Sequence, residues 1–301
     1  MRLLTLNTHS HVEEDYREKL EAFVQAVSEE EPDVIALQEV NQTFAETPVK
    51  AAQGYIPCAQ GITIRQDNHA YHAAELLKHR GIRYFWTWLP LKVGYDKYDE
   101  GIALMSRSPI LETKIVRTSR IDDYSNWKTR KILGIRTEAV PDEWFFSVHY
   151  GWWDDPEEPF QGQWQRTQAE MQKYPHVWLM GDFNSPAEVR GEGYDLIRHT
   201  GWHDSYLLAK EKDHGITVGK VIDGWREKIS GTDGMRIDQI WCSEAHNILS
   251  SEVIFNGTNR SIVSDHYGVI VNYERSRDDA AKCRHPAADL FPAVRIRHRM
   301  F

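Results

Sequence analysis

Two hydrophobic periods alternate along the chain. Residues 2–6 form a strand-like run, and residues 16–30 place Leu20, Phe23, Val24 and Val27 at helical spacing with charges on the opposite face. Pro32-Asp33 breaks that helix, and residues 34–39 are a short apolar run of the kind a strand covered on both faces shows. Together they make a strand, helix, strand unit. Residues 40–68 carry no period and read as irregular, after which residues 70–79 predict a helix and residues 83–89 an aromatic-rich strand. Further strands are predicted over residues 101–106, 110–116, 131–137, 144–149 and 176–180, with a helix over 161–173 between the last two. Late strands fall at residues 236–242, 252–255 and 267–272, separated by Gly, Asn and Ser clusters.

Many strands with few helices between them predict one α/β domain of two stacked mixed sheets with helices outside. No boundary interrupts it before about residue 273, so residues 1–273 are expected to be the functional domain. From Glu274 the composition turns basic (Arg275, Arg277, Lys282, Arg284, Arg295, Arg297, Arg299) without periodicity, which predicts a loosely ordered extension over 274–301.

Composition narrows the function classes. With 301 residues and 41% hydrophobic content the chain can bury a large core. No stretch of eighteen apolar residues occurs, and the first strand follows without the apolar region of a signal peptide, so the expectation is a cytoplasmic protein without a membrane span. Cys58, Cys242 and Cys283 lack CxxC spacing, which supports neither a disulfide framework nor a zinc knuckle. The net charge of −9 argues against a protein that grips a nucleic-acid backbone and leaves a small anionic substrate compatible. Eleven tryptophans, several in polar surroundings (Trp152, Trp153, Trp164, Trp202, Trp225), supply flat faces for the core or for a pocket. The sequence carries no signal for oligomeric state.

The chemistry lies where hydrophobic runs end. Leu6-Asn7, Gln38-Glu39, Val148-His149, Gly181-Asp182-Phe183-Asn184 and Ser264-Asp265-His266 each close an apolar run with a polar group, and strands ending at a common sheet edge can gather them into one site. Asp182 and Asn184, two apart, project from one face if the backbone is extended; a plain Asx turn is the competing reading. Glu39 ends an apolar strand, where a lone carboxylate is costly, so it needs a cation or donors. Mg²⁺ is held by one or two carboxylates plus substrate phosphate, and Glu39 with Asn7 beside it suffices; a solvated strand end and an ordinary cap are the alternatives. His149 and His266 each have an acidic orienter available, Glu100 and Asp238, although fourteen histidines make two of them weak support. Asp238 interrupts the apolar run that follows Arg236, and a salt bridge to an arginine competes with the orienting role. Asp265 beside His266 offers a metal contact next to a base.

Taken in order, Asn7, Glu39, Glu100, His149, Gly181-Asp182-Phe183-Asn184, Arg236-Ile237-Asp238 and Ser264-Asp265-His266 resemble the endonuclease/exonuclease/phosphatase superfamily over residues 1 to about 272. The resemblance implies a four-layer, DNase I-like α/β sandwich that hydrolyses phosphate esters with Mg²⁺, Mn²⁺ being an alternative ion. It implies Glu39 as principal metal ligand, assisted by Asn7 and Asp265, and His266 as the base that activates water, oriented by Asp238. His149, paired with Glu100, would donate to the phosphoryl group, while Asp182 and Asn184 would position water and stabilise the transition state.

Substrate must be decided by the loops between these motifs. Lys128 or Arg130 in Trp127-Lys128-Thr129-Arg130 could clamp a terminal phosphate, and Trp152 and Trp153 after His149 could stack on a sugar. With residues 92–96, 221–225 and 255–257, these segments resemble a bacterial branch that includes maltose 6'-phosphate phosphatase. The expected activity is therefore hydrolysis of a phosphate monoester on a sugar. A nuclease or other phosphodiesterase would use the same set but needs a basic groove. A non-catalytic binding protein would be expected to have lost part of the set, and here it is complete.

Overall fold

The computed structural model describes residues 1–219 and 234–275. Residues 221–225 and the basic tail beyond Arg275 lie outside the described residues. Thirteen strands occur among the described residues: β1 Arg2–Asn7, β2 Val34–Thr43, β3 Phe85–Gly94, β4 Tyr98–Ser106, β5 Ile110–Arg117, β6 Lys131–Thr137, β7 Glu143–His149, β8 His176–Asp182, β9 His203–Asp204, β10 Glu211–Lys212, β11 Asp238–Cys242, β12 Asn247–Ile254 and β13 Gly268–Glu274. The helices are α1 Tyr16–Glu30, α2 His69–His79, α3 Phe160–Met171, α4 Gly193–His199 and α5 Ser205–Leu208. None is long and apolar enough to cross a membrane.

One sheet has the order β10-β12-β13-β1-β2-β4-β3 and the other β5-β6-β7-β8-β11-β9. Both are mixed. Each contains one parallel pair joined through a helix, β1-α1-β2 in the first and β7-α3-β8 in the second, flanked by antiparallel neighbours. Alternation along the strands explains the layering. Leu4, Leu6, Ile35 and Leu37 face α1 and α2, whereas Leu3, Val34 and Ala36 face the second sheet. In that sheet Phe145, Trp178, Met180 and Ile240 look inward, and Phe146, Val177, Leu179 and Trp241 pack with Phe160 and Trp164 of α3. The result is the expected four-layer sandwich, helices outside and two sheets stacked inside.

Two departures from the expected elements bear on the site. Strand β2 does not stop at Glu39 but runs to Thr43, because the stretch read as irregular covers its polar end: Gln42 accepts from Arg65 N at 2.9 Å and donates to Thr63 O at 3.0 Å. Strand β3 continues past Leu89 to Gly94 and pairs with β4 across a short turn. That hairpin sets Lys92 directly opposite Glu100, so both side chains share one face.

Candidate active site

Parallel strands β1, β2, β7 and β8 end at the same edge at which antiparallel β4 and β11 begin and from which the loop before β13 descends. The inward alternation carries Asn7, Gln38, His149, Asp182 and Asp238 onto the face between the sheets at that edge. Glu39 is out of phase: strict alternation would send it toward the helices. A register shift between Leu37 and Val40 inserts one residue, Glu39 takes φ 52°, and Val40 rejoins the helix-facing core. This β-bulge places Glu39 in the cleft, at the cost of a left-handed backbone that non-glycine residues seldom adopt. Behind it, Gln38 bridges the sheets by donating to Ser147 Oγ at 3.0 Å.

The side chains converge. Asn7 Nδ2 donates to Glu39 Oε1 at 2.9 Å and to Asp182 Oδ2 at 3.2 Å. Asp182 Oδ1 accepts from the Asn184 N–H at 2.8 Å, and Asn184, at φ 46°, donates through Nδ2 to Tyr150 O at 2.9 Å. His266 Nδ1 and Asp238 Oδ2 lie 2.9 Å apart. His149 Nε2 lies 3.6 Å from Asp182 Oδ2 and 4.0 Å from Glu39 Oε1. Ser264 Oγ donates to Asn7 O at 2.7 Å, which ties the His266 loop to the end of β1. The cleft between them measures about 270 Å³ and is lined by Glu39, Lys92, Glu100, Arg130, His149, Asp182, Asn184 and His266, with Tyr95, Trp127 and Trp152 at its wall.

Burial and crowding set the charge states. Burial, reinforced by Glu100, raises the Glu39 pKa above the usual carboxylate range. Burial likewise raises Asp182 to about 7, with His266 opposing and Asp238 adding to the rise. For His266, burial opposes the charged form, yet Asp238 and then Asp182 overcome it and hold the imidazole protonated well above its ordinary range. His149 goes the other way: burial, then Arg130 and Lys92, keep it neutral.

Residues 4–266 match the endonuclease/exonuclease/phosphatase family, and the match takes in every one of these groups. The chain belongs to the endonuclease/exonuclease/phosphatase family. It is similar to a family protein from Leptotrichia buccalis, at 30% identity and TM-score 0.80 over 91% of this chain and 100% of that one. The fold recurs in a mannosyl-6-phosphatase from Bacteroides thetaiotaomicron (16% identity, TM-score 0.63, 91% of this chain and 100% of that one). It recurs again in a 3' phosphatase from Neisseria bound to product DNA (18% identity, TM-score 0.60, 91% and 100%). No curated protein sequence matches the chain.

Enzymes of the endonuclease/exonuclease/phosphatase family are phosphoesterases and generally need a divalent metal, and this chain is a phosphoesterase of that superfamily. The residues present fit such an ion. Among the described residues no lysine or arginine hydrogen-bonds Glu39 or Asp182, so half-buried Glu39 and buried Asp182 meet only neutral amide donors, from Asn7 and Asn184, an oxygen-rich set suited to a hard dication. Asp265 stands near enough to Glu39 and His266 to raise the pKa of each. It belongs to a neighbouring cluster in which His9 Nδ1 lies 3.7 Å from Asp265 and 2.6 Å from Glu13, Lys19 pairs with Glu13, and the Asp265 N–H donates to Glu13. Burial opposes the charge on His9, but Glu13 overrides it and the pKa rises to about 9.

Three expected placements change. Glu100 is not the partner of His149: its carboxylate meets Lys92 Nζ at 3.0 Å, the neighbour its hairpin register supplies. Lys128 does not reach the cavity, because its ammonium is held by Asp155 at 2.9 Å and Glu157 at 3.5 Å. Trp153 packs against the helix-side core, leaving Trp152 alone of the pair at the cavity. The reading that competed for Asp238, a salt bridge to an arginine, does not occur among the described residues, where Arg236 is bound to Asp204 at 2.7 Å. Lys92 and Trp127 were not among the expected site residues. Lys92 had one visible signal, a charge interrupting the apolar run Leu89-Pro90-Leu91. Replacing Lys128 by alanine is expected to leave kcat/KM for any substrate within about twofold of the parent, measured by steady-state kinetics.

Proposed function

We propose that this member of the family hydrolyses a phosphate monoester carried on a sugar, by attack of water assisted by Mg²⁺, with Mn²⁺ as an alternative ion. The observation that carries the reading is the shape and lining of the cavity. It is a partly open recess near the small end of the roughly 300–1,000 Å³ typical of small-molecule sites, lined by buried Lys92 and Arg130 together with aromatic rings. A nucleic-acid groove calls instead for a basic stripe along the surface.

When bound by Glu39, Asn7 and Asp182, the dication supplies charge that offsets the carboxylates and polarises a phosphoryl oxygen. The protein's own groups do the rest. In its neutral form His266, with Nδ1 engaged by Asp238, offers Nε2 to take the proton of the attacking water, and the positive charge of a dication bound nearby would favour that form over the protonated one. Neutral His149 offers one N–H to a phosphoryl oxygen. Asp182, locked by the turn to Asn184, orients water by accepting from it, and the Asn184 amide offers an N–H toward the developing charge. At the mouth, Trp127 lies 5.4 Å from Trp152 between ring centroids, and it is the more exposed of the two. Such a face suits the apolar side of a sugar ring. The sugar 6-phosphate named for the Bacteroides relative has the same chemistry as maltose 6'-phosphate, which makes hexose 6-phosphates and their disaccharides the first compounds to try.

Release of inorganic phosphate from a panel of sugar phosphates, set beside nicking of plasmid DNA, tests the reading. Efficient cutting of DNA with no monoester hydrolysed would overturn it. Replacing Trp127 by alanine is expected to raise KM for the best sugar phosphate by roughly 2- to 10-fold with kcat unchanged, the loss of one aromatic contact worth about 0.5–1.5 kcal/mol.

A further inference from the structure

Arg130 differs from the other buried arginine of the described strands and loops. Arg236 is fully engaged: Nη2 bonds Asp204 Oδ2 at 2.7 Å and Tyr194 Oη at 3.2 Å, and its guanidinium packs against the rings of Tyr194 and Tyr206. Arg130 is 4% exposed and lines the catalytic cavity, yet its Nε and Nη1 have no hydrogen-bond partner in the protein. Among the described residues no carboxylate forms an ion pair with it. A desolvated guanidinium with unmet donors is costly unless a ligand meets them. Lys92 lines the same recess and is aimed by two contacts, Glu100 Oε1 at 3.0 Å and Trp127 O at 3.3 Å, which leave it one N–H to spare. Gly94 makes this alignment possible, since a Cβ there would stand 2.6 Å from Glu100 Oε2.

Charge narrows what these donors receive. A phosphate monoester carries about −1.5 to −2 at neutral pH, whereas a diester carries a single negative charge and presents a second ester group where the monoester presents an oxygen. Of the lining carboxylates, Glu39 and Asp182 face the metal position and Glu100 is spent on Lys92, so Arg130 is the cation with charge left for the substrate. Its planar fork matches two oxygens of a tetrahedral anion.

We propose that Arg130, together with Lys92 held by Glu100, receives the additional non-bridging oxygen of a monoester dianion and thereby makes the enzyme select monoesters over diesters. Glu100 is then a positioning residue for Lys92. The proposal rests on the monoesterase reading, and its test separates the two.

The experiment compares 4-nitrophenyl phosphate with bis(4-nitrophenyl) phosphate for the Mg²⁺-loaded wild type and for Arg130→Gln, Arg130→Lys and Lys92→Met. Arg130→Gln is expected to lower kcat/KM for the monoester by about 100-fold while changing the diester by less than about threefold, as for loss of a donor that acts on one substrate only. Arg130→Lys, which restores charge without the fork, should fall between, and Lys92→Met should shift the monoester-to-diester ratio in the same direction. Inhibition by inorganic phosphate should weaken in parallel, with inhibition by dimethyl phosphate unchanged. Equal loss on both substrates, with phosphate inhibition intact, overturns this proposal alone. A wild type that hydrolyses only the diester overturns the monoesterase reading and the proposal with it.

Discussion

Replacing His266 by alanine is expected to lower kcat for a phosphate monoester by about 10²- to 10⁴-fold, the span of a lost general base, with KM little changed. His266 and Asp238 form a buried pair. Asp238 Oδ2 lies 2.9 Å from Nδ1, which fixes the ring and leaves Nε2 as the only nitrogen able to take a proton from water. That proton moves in the transition state and not on binding, so the loss belongs in kcat. Asp238→Asn keeps a polar side chain of the same size but removes the charge that raises the histidine's basicity, and it should lie between wild type and His266→Ala. Steady-state kinetics at saturating Mg²⁺ make the measurement, with thermal unfolding to confirm that the domain is intact. A His266→Ala enzyme within threefold of wild type would remove His266 as the base.

Glu39→Gln is expected to raise the Mg²⁺ concentration for half-maximal activity by at least about 10- to 100-fold, the loss seen when even a supporting group of a metal site is removed. Glutamine preserves the shape of the bulge residue and can still accept from Asn7, so the change isolates charge from packing. Burial and Glu100 both disfavour the charged form of Glu39, and a dication is the partner that relieves it. Titrating Mg²⁺ against activity, and separately against the substrate-free protein by calorimetry, reads the effect. An unchanged midpoint in both would move the metal away from Glu39.

The polar ends of β1, β7, β8 and β11 were legible in the sequence because alternation is local: once a run is a strand, its last inward residue is known. What was not legible depends on registers between strands. Glu39 was visible as a polar strand end, but its aim into the cleft is set by a shift against β4. Lys92 and Glu100 become partners only through the β3–β4 hairpin, whose pairing no single segment encodes. Lys128 and Arg130, two apart, should point the same way in extended chain. A turn closed by Thr129 N–H to Asn126 O at 3.0 Å separates them, sending Lys128 to Asp155 and Arg130 to the cavity. Short elements such as β9, β10 and α5 are fixed by the surfaces they dock on and leave no periodic trace.

The two sheets contribute comparable shares of the chemistry: Asn7, Glu39, Lys92, Glu100 and the His266 loop come with the first, Arg130, His149, Asp182 and Asp238 with the second. Even the acid–base pair is split, His266 preceding β13 in one sheet and Asp238 opening β11 in the other. A chain whose sheets had each formed but had not yet met would hold every reactive group and be chemically inert. Hydrolysis by this protein is therefore a property of a seam, and catalytic competence begins only when that seam closes.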